Sequence, residues 1–163
     1  MYHVQISSPV GHITIGADDT AITEILFENQ IPPEGLTLAS EYPPHLATCM
    51  AQLEAYFAGS LQQFDVPIRH VGTPFQLRVW GALHEIPFGE TWSYLALSRF
   101  LGDEKAIRAV GTTNGKNRIN IITPCHRVVG ANGQLTGYGG ELWRKDWLLR
   151  HERRLAKGVL ELF

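Results

Sequence analysis

A cysteine followed directly by a histidine and an arginine closes the apolar stretch "INIITP", at Cys125, His126 and Arg127. A thiol becomes a nucleophile when a neighbouring base or positive charge favours its thiolate form, and both neighbours could do so. Two other interpretations compete: a buried packing residue, or a metal ligand. The metal interpretation is the weakest, because the chain contains neither a C-x-x-C nor an H-x-x-x-H spacing.

Glu152 is the residue that would complete a nucleophilic site. In an extended segment, neighbouring side chains point to opposite faces, so a bend or a bridging water would have to carry a proton from Cys125 to His126. A histidine that acts as a base also needs an acceptor on its other ring nitrogen. In the predicted last helix, "ELWRKDWLLRHERRLA", Glu152 falls in the middle of the apolar stripe, where an unpaired carboxylate is rare. Two alternatives remain open: a salt bridge to Lys145 or to an arginine from elsewhere, or a Cys–water–His–Glu relay.

Further helices are predicted ahead of this site. One begins at "TPFQLRVW", with Thr73 as N-cap and Pro74 in the first turn. The stretches "WSYLALSRFLG" and "DEKAIRAVGTTNG" predict two short helices, the first ending at Gly102 and the second capped by Asp103. Two helices about a tight glycine turn form a candidate helix-turn-helix.

The second of these short helices has a face made of small residues and one arginine. Arg108 points away from the apolar side, with Gly111 and Thr112 near it. Such a face could approach a nucleic-acid groove closely. The alternative is a solvated helix surface that happens to carry one arginine.

The first half of the chain predicts a small sheet and one helix. Apolar residues over positions 2–28 indicate three short strands, with turns at "SSPVG" and "ADDT". A proline-rich loop follows, and then "HLATCMAQLEAYFAG" shows the helical period and stops at Gly59. Cys49 lies in this helix and is expected to pack. With a domain change near residues 68–72, the predicted fold class is α+β, a sheet-and-helix domain followed by a helical domain.

Charge divides sharply between the two halves. Residues 1–68 contain eight acidic residues and no Lys or Arg, a net charge of −8, whereas residues 69–163 contain all fourteen basic residues and eight acidic ones, a net charge of +6. This asymmetry indicates polyanion binding by the second half, although basic residues that merely solvate helices would give the same count.

The composition excludes several classes of protein. No run approaches the length of about eighteen uncharged apolar residues that a membrane span needs. The first residues lack the basic and apolar regions of a secretory signal, and two cysteines argue against a disulfide scaffold. We therefore expect a cytoplasmic protein with free thiols.

Six sequence blocks in the second half occur in the same order in a known family. They are "GTPFQLRVW", "IPFGETWSY", "RAVGTTNGKN", "PCHRVVG", "GYGG" and "WRKDWLLRHE". Together they resemble the O6-alkylguanine-DNA alkyltransferases, and the Pro-Cys-His-Arg-Val block is that family's hallmark. The resemblance implies a small RNase H-like α/β domain at residues 1–70. It also implies a helical, winged-helix-like DNA-binding and alkyl-acceptor domain, with a helix-turn-helix, at residues 71–163.

The resemblance also implies the reaction. Cys125, as thiolate, would take the alkyl group from O6-alkylguanine in DNA, with O4-alkylthymine as a second candidate substrate. His126 would receive the thiol proton through a water, and Glu152 would orient His126. The product is a thioether, so each molecule would react once.

Further implied roles concern the DNA and the flipped base. Tyr94 would help to rotate the nucleotide out and donate a proton to the departing base, and Arg108 would fill the gap in the stack. Asn117 would tie the helix-turn-helix to the active site. A base-pocket wall that includes Val128, Tyr138 and Gly139 is also implied. Gly111 and Thr112, the small residues beside Arg108, are expected to contact the DNA.

The chain departs from the family pattern directly after Asn117. Arg118 stands where the family usually has a proline, which would stiffen the loop.

We expect no cofactor and no metal, because the first domain lacks the Cys and His of the zinc site found in mammalian members. We also expect a monomer that acts on alkylated double-stranded DNA and has no membrane partner.

Three rival functions remain open. A damage sensor that binds alkylated DNA without chemistry would carry another residue in place of Cys125. A cysteine hydrolase would use Cys125 and His126 with turnover. A DNA-binding regulator would leave Glu152 and the Cys-His pair without a role.

Overall fold

The computed structural model describes residues 1–158 and divides the chain into two compact units. Unit 1 comprises Met1–Val71 together with Arg118–Ile122, and unit 2 comprises Gly72–Asn117 and the chain from Thr123 onward. The predicted domains divide the chain once, at residue 70. Arg118–Ile122, which lie shortly before Cys125 in the sequence, nevertheless belong to unit 1. The last residues of the expected second domain, 159–163, lie outside the described residues.

A three-stranded antiparallel sheet forms the centre of unit 1. Strands β1 (Tyr2–Ser8), β2 (Gly11–Ala17) and β3 (Ile22–Phe27) pair in chain order, as the alternation predicted. A 3-10 turn, Glu28–Gln30, follows β3, and helix α1 (Pro44–Ala58) packs against the sheet. The helix ends at Gly59, whose φ of 89° places it in the left-handed region.

The segment Arg118–Ile122, which we call the strap, is held against β3. The Ile25 N–H donates to the Arg118 carbonyl at 2.8 Å, and the Asn120 amide Nδ2 donates to the carbonyl of Ile25 at 2.7 Å and to Oε1 of Gln30 at 2.8 Å. The Arg118 guanidinium lies 2.7 Å from a carboxylate oxygen of Glu24. Where the family usually has a stiffening proline, this chain therefore has an ion pair and side-chain hydrogen bonds.

The apolar run of residues 119–123, a pattern that favours an extended strand, does not form one. Only an isolated parallel bridge, between Ile25 and Ile119, joins this stretch to the sheet. Ile121 has a φ of 72°, in the left-handed region that a β-branched residue rarely adopts. Holding such a residue there costs on the order of 1–3 kcal/mol, so the surrounding contacts must impose the turn.

Unit 2 is built from four α-helices in its described part. They are α2 (Pro74–Leu83), α3 (Tyr94–Phe100), α4 (Ile107–Gly115) and α5 (Leu142–Lys157). Two-residue strands β4 (Trp92–Ser93) and β5 (Val128–Val129) pair in parallel. Thr73 caps α2 as predicted, since its side chain accepts from the Gln76 N–H.

The helix-turn-helix consists of α3 and α4. Gly102 ends the first helix with a φ of 82°, and the Asp103 side chain caps the 3-10 turn Glu104–Ala106 that leads into α4. The Trp80 indole N–H donates to the Thr113 carbonyl at 2.9 Å and so fixes the end of α4 against α2. No helix within residues 1–158 is long and apolar enough to cross a membrane.

Candidate active site

Cys125 begins a 3-10 turn, Cys125–Arg127, so the expectation that it lies in an extended segment is wrong. Pro124 precedes it with a φ of −84° and a ψ of 62°, and the Cys125 N–H bonds back to the Thr123 carbonyl at 2.8 Å. A 3-10 turn places successive side chains about 120° apart, because it has three residues per turn. The turn is a bend of the kind that the sequence offered as one alternative, the other being a bridging water.

The thiol of Cys125 is buried, and polar groups lie close to it. The side chain is 3% exposed and joins the apolar core that includes Val79, Leu97 and Val128. Burial raises the pKa of Cys125 to about 11, while a hydrogen bond from Asn117 and the nearby Lys145 charge act in the opposite direction. Burial of Cys125 in the core therefore does not exclude its interpretation as a nucleophile. A thiol with this pKa needs a base to become a thiolate at neutral pH.

His126 has the arrangement of such a base. Its Nε2 lies 2.8 Å from Oε2 of Glu152, while Nδ1 is buried and has no hydrogen-bond partner among the described residues. Burial lowers the pKa of His126 despite the opposing effect of Glu152, so the ring is neutral at neutral pH. A neutral ring that donates Nε2–H to Glu152 keeps the lone pair of Nδ1 free to accept a proton.

Glu152 pairs with an arginine and with His126 at the same time. Its carboxylate accepts from Arg127 Nε at 2.8 Å and from Arg127 Nη2 at 3.2 Å, besides the contact to His126. Burial opposes ionisation, but His126 and Arg127 hold the pKa of Glu152 well below its usual range. The salt bridge left open by the sequence is present, with Arg127 as the arginine, and the His126–Glu152 contact that the relay needs is formed as well.

Asn117 and Lys145 complete the surroundings of the thiol. The Asn117 amide Nδ2 donates to Cys125 Sγ at 3.1 Å and to the Thr123 carbonyl at 2.9 Å. The Lys145 ammonium, fully buried, donates to the carbonyl of Thr136 in the loop before α5. Burial lowers the pKa of Lys145 to about 8, although the nearby Cys125 opposes this shift. The lysine thus supplies positive charge near Sγ and anchors the loop.

A groove of about 850 Å³ lies along the exposed side of α4. The Tyr94 hydroxyl at its edge accepts a hydrogen bond from Thr136 Oγ1 at 3.2 Å, and Arg108 is exposed at the beginning of α4. The groove also contains three other residues singled out in the sequence, namely Gly111, Thr112 and Tyr138.

Two residues of the expected base-pocket wall, Val128 and Gly139, do not line this groove. Val128 is fully buried in β5, in the same core as Cys125, and Gly139 is exposed in the loop after Tyr138. Val128 is drawn inward because β5 pairs with β4 directly after the Cys125 turn. Within residues 1–158, no three His, Cys, Asp or Glu side chains are close enough to hold a metal ion.

Sequence reasoning missed Asn114. Its Nδ2 donates to the Cys125 carbonyl at 3.2 Å, and the side chain is 3% exposed. A signal was available, because Asn114 follows the apolar Val110 by four residues and so shares its face of α4.

Comparison with known proteins places both halves of the chain in one family. The model of the 6-O-methylguanine DNA methyltransferase ribonuclease-like domain matches residues 1–70, and that of the family's DNA binding domain matches residues 74–154. The chain is 46% identical to a methylated-DNA–protein-cysteine methyltransferase of Mycolicibacterium paratuberculosis, over 97% of this chain and 96% of that protein. It is 39% identical to the constitutive enzyme of Bacillus subtilis, over 93% and 95%.

Solved structures give the same result. A crystal structure of Mycobacterium tuberculosis OGT in complex with DNA has a TM-score of 0.87 at 43% identity, covering 95% of this chain and 94% of that one.

Proposed function

Because this chain belongs to the 6-O-methylguanine DNA methyltransferase family, we propose that it repairs alkylated double-stranded DNA by transferring the alkyl group of O6-alkylguanine to Cys125. The relatives' shared name describes transfer from methylated DNA to a protein cysteine. Of the two cysteines, Cys49 is buried in α1 and burial raises its pKa to about 12. A thioether is a stable end product, so each molecule reacts once.

One observation carries the assignment of the acceptor. Cys125 is followed by a buried histidine whose Nε2 is held by Glu152 and whose Nδ1 is unpartnered. The Cys125 thiol proton passes through a water to Nδ1 of His126, and Glu152 stabilises the resulting charged ring. This gives a thiolate held by the Asn117 amide and close to the charge of Lys145.

The transfer itself is a displacement at carbon. The Cys125 sulfur forms a bond to the alkyl carbon while the bond from that carbon to O6 breaks, and its electron pair leaves with the guanine. The base then takes up one proton, which Tyr94 donates and recovers from solvent, and His126 releases the proton that it took from the thiol. The sum is one thiol and one alkylguanine converted to one thioether and one guanine.

The groove along α4 is the proposed DNA-binding surface. The alkylated base lies inside a duplex and must be rotated out, at a cost of a few kcal/mol. Arg108 occupies the space that the base leaves, and Gly111 and Thr112 allow close approach of the backbone. The excess of basic residues after position 68 supplies salt-sensitive contacts to phosphates.

Intact-mass measurement tests the proposed function. Incubation with excess duplex DNA containing O6-methylguanine should add one methyl group, about 14 Da, to the peptide that carries Cys125. Cys49→Ala should still be modified, and Cys125→Ser should not. Repeated turnover by one molecule, or methylation at Cys49, would refute the proposal.

We further propose that the protein is a cytoplasmic monomer. A reducing compartment keeps both cysteines as free thiols, the state in which the structure has them. Light scattering should give a mass near 18.2 kDa. A mass of twice this value would contradict the monomer, and fractionation with the membrane would contradict the location.

A further inference from the structure

Asn114 holds the peptide of the reactive cysteine from α4. Its side chain is 3% exposed, and Nδ2 donates to the Cys125 carbonyl at 3.2 Å. The same carbonyl also accepts from the backbone N–H of Val128, at the end of the 3-10 turn. Both lone pairs of this oxygen are therefore used, and the peptide plane after Cys125 is fixed from two directions.

Asn114 and Asn117 form a pair of amides at the end of α4. Asn117 holds Sγ and the Thr123 carbonyl, on the N-terminal side of Cys125, while Asn114 holds the carbonyl on its C-terminal side. Both residues lie in the block "RAVGTTNGKN", but the resemblance to the family assigns a role to Asn117 alone. The backbone of Cys125 sets the direction in which Sγ points. The contacts of Asn114 and of Asn117 therefore both influence the position of Sγ.

The other end of the Asn114 amide argues against a purely structural role. Its Oδ1 is buried and has no hydrogen-bond partner among the described residues. A buried acceptor without a partner lowers stability, and an apolar side chain of the same shape would avoid this cost. An asparagine at this position is therefore poorly explained by packing alone, whereas its donor has a defined partner at Cys125.

We propose that Asn114 is a positioning residue for alkyl transfer: by holding the Cys125 carbonyl, it keeps Sγ aligned with the incoming alkyl carbon. The inference rests on the proposed function of Cys125. Displacement at carbon requires the sulfur, the carbon and the leaving oxygen to lie in line. A small misplacement of the attacking atom reduces the rate about tenfold to a hundredfold.

Asn114→Leu separates positioning from stability. The substitution keeps the approximate shape and removes both the donor and the unpartnered acceptor. The thermal midpoint should stay close to that of the wild type or rise, whereas the limiting rate of alkylation by free O6-benzylguanine should fall about tenfold or more. The half-saturating concentration of O6-benzylguanine and the affinity for undamaged DNA should be unchanged.

Two further variants make the result interpretable. Thr113→Val alters the neighbouring buried polar side chain of α4 without removing a donor to the Cys125 carbonyl, and should react at the wild-type rate. Asn114→Asp keeps the shape, replaces the donor by an acceptor that repels the Cys125 carbonyl, and should be slower than Asn114→Leu. Asn114→Leu remains decisive if Asn114→Asp fails to fold.

The outcomes distinguish this inference from the proposed function. A wild-type protein that is not alkylated at all refutes the proposed function. If the wild type is alkylated but Asn114→Leu reacts at the same limiting rate, Asn114 is not a positioning residue. A lower thermal midpoint with an unchanged rate would likewise assign it to stability alone.

Discussion

Four consecutive or paired side chains account for the chemistry at the scale of single residues. In the proposed reaction Cys125 supplies the sulfur, His126 the base, and Glu152 the acceptor that orients His126. Arg127 uses the same carboxylate, with two contacts of 2.8 and 3.2 Å. Because Arg127 is only 8% exposed, Glu152 neutralises a buried cation as well as serving the relay.

Glu152→Gln is expected to slow the alkylation of Cys125 and to destabilise the protein. Losing the charge removes the stabilisation of charged His126, so reaction with free O6-benzylguanine should slow by about one to three orders of magnitude. It also leaves the buried Arg127 cation without a carboxylate, at a cost of about 3–5 kcal/mol. The rate should be measured well below the thermal midpoint, so that the protein is folded.

His126→Ala is the companion variant. The double variant should be little slower than either single one, because groups that act as a unit are not additive. A folded Glu152→Gln protein that reacts within about twofold of the wild type would mean that the carboxylate serves only Arg127.

The pH dependence of stability gives a second measurement on the same variant. The folded pKa of Glu152 lies below its unfolded value of about 4.3, so its contribution to stability is present above that pH and is lost as the pH falls below it. The folded pKa of His126 is also lowered, so stability is lost from about pH 6.5 downward as the unfolded chain takes up a proton. The urea midpoint of the wild type should therefore fall more steeply below about pH 4.3 than the urea midpoint of Glu152→Gln. Parallel curves of urea midpoint against pH for the wild type and Glu152→Gln would contradict this expectation.

At the scale of elements, α4 lines the groove with its exposed side and contacts Cys125 with its buried side. Its exposed residues Arg108 and Thr112 border the groove, while its buried residue Asn114 holds the Cys125 peptide. The turn Cys125–Arg127 is equally important, because it brings His126 to Glu152 of α5. One helix thus connects the proposed DNA contact to the nucleophile.

Arg108→Ala is expected to affect duplex repair far more than reaction with a free base. Only duplex DNA requires a base to be rotated out of the stack, and only there does the arginine fill a gap. Single-turnover rates should be compared for O6-methylguanine in duplex DNA and for free O6-benzylguanine. Equal losses with the two substrates would show that Arg108 does not fill the vacated stack.

At the scale of the whole chain, the boundary between acidic and basic halves does not coincide with the boundaries of the two compact units. The charge changes sign near residue 68, whereas the strap, Arg118–Ile122, returns to unit 1 through Ile25, Glu24 and Gln30. A fragment that begins at residue 69 keeps all basic residues but loses every one of these partners.

Deletion of residues 1–68 is therefore expected to separate DNA binding from reactivity. Affinity for DNA should remain and should fall steeply between about 50 and 200 mM salt, because released counterions drive it. The alkylation rate should fall, because the strap that leads into Thr123 and Cys125 has lost its hydrogen bonds. Fluorescence anisotropy and mass spectrometry measure the two properties. Full reactivity in the folded fragment would show that the strap contacts are dispensable.

The sequence by itself predicted the three-stranded sheet and most of the helices, and it proposed which residues carry the chemistry. Alternation and helical period predicted β1, β2, β3, α1 and α5, because these patterns reflect burial on one face of each element. The Cys-His pair, the buried position of Glu152 and the exposed position of Arg108 followed from residue type and spacing. The order of the blocks identified the family, and the comparisons confirmed it.

Only the tertiary structure decided the contacts between residues far apart in the chain. The sharing of Glu152 between His126 and Arg127, the hydrogen bond from Asn114 to the Cys125 peptide, and the return of the strap to β3 join elements that no local pattern relates. The turn at Ile121 was missed for the same reason, and the bend at Cys125 was expected only as an alternative to a bridging water. An apolar run favours an extended strand locally, whereas long-range hydrogen bonds hold this one in a turn that Ile121 would not adopt alone.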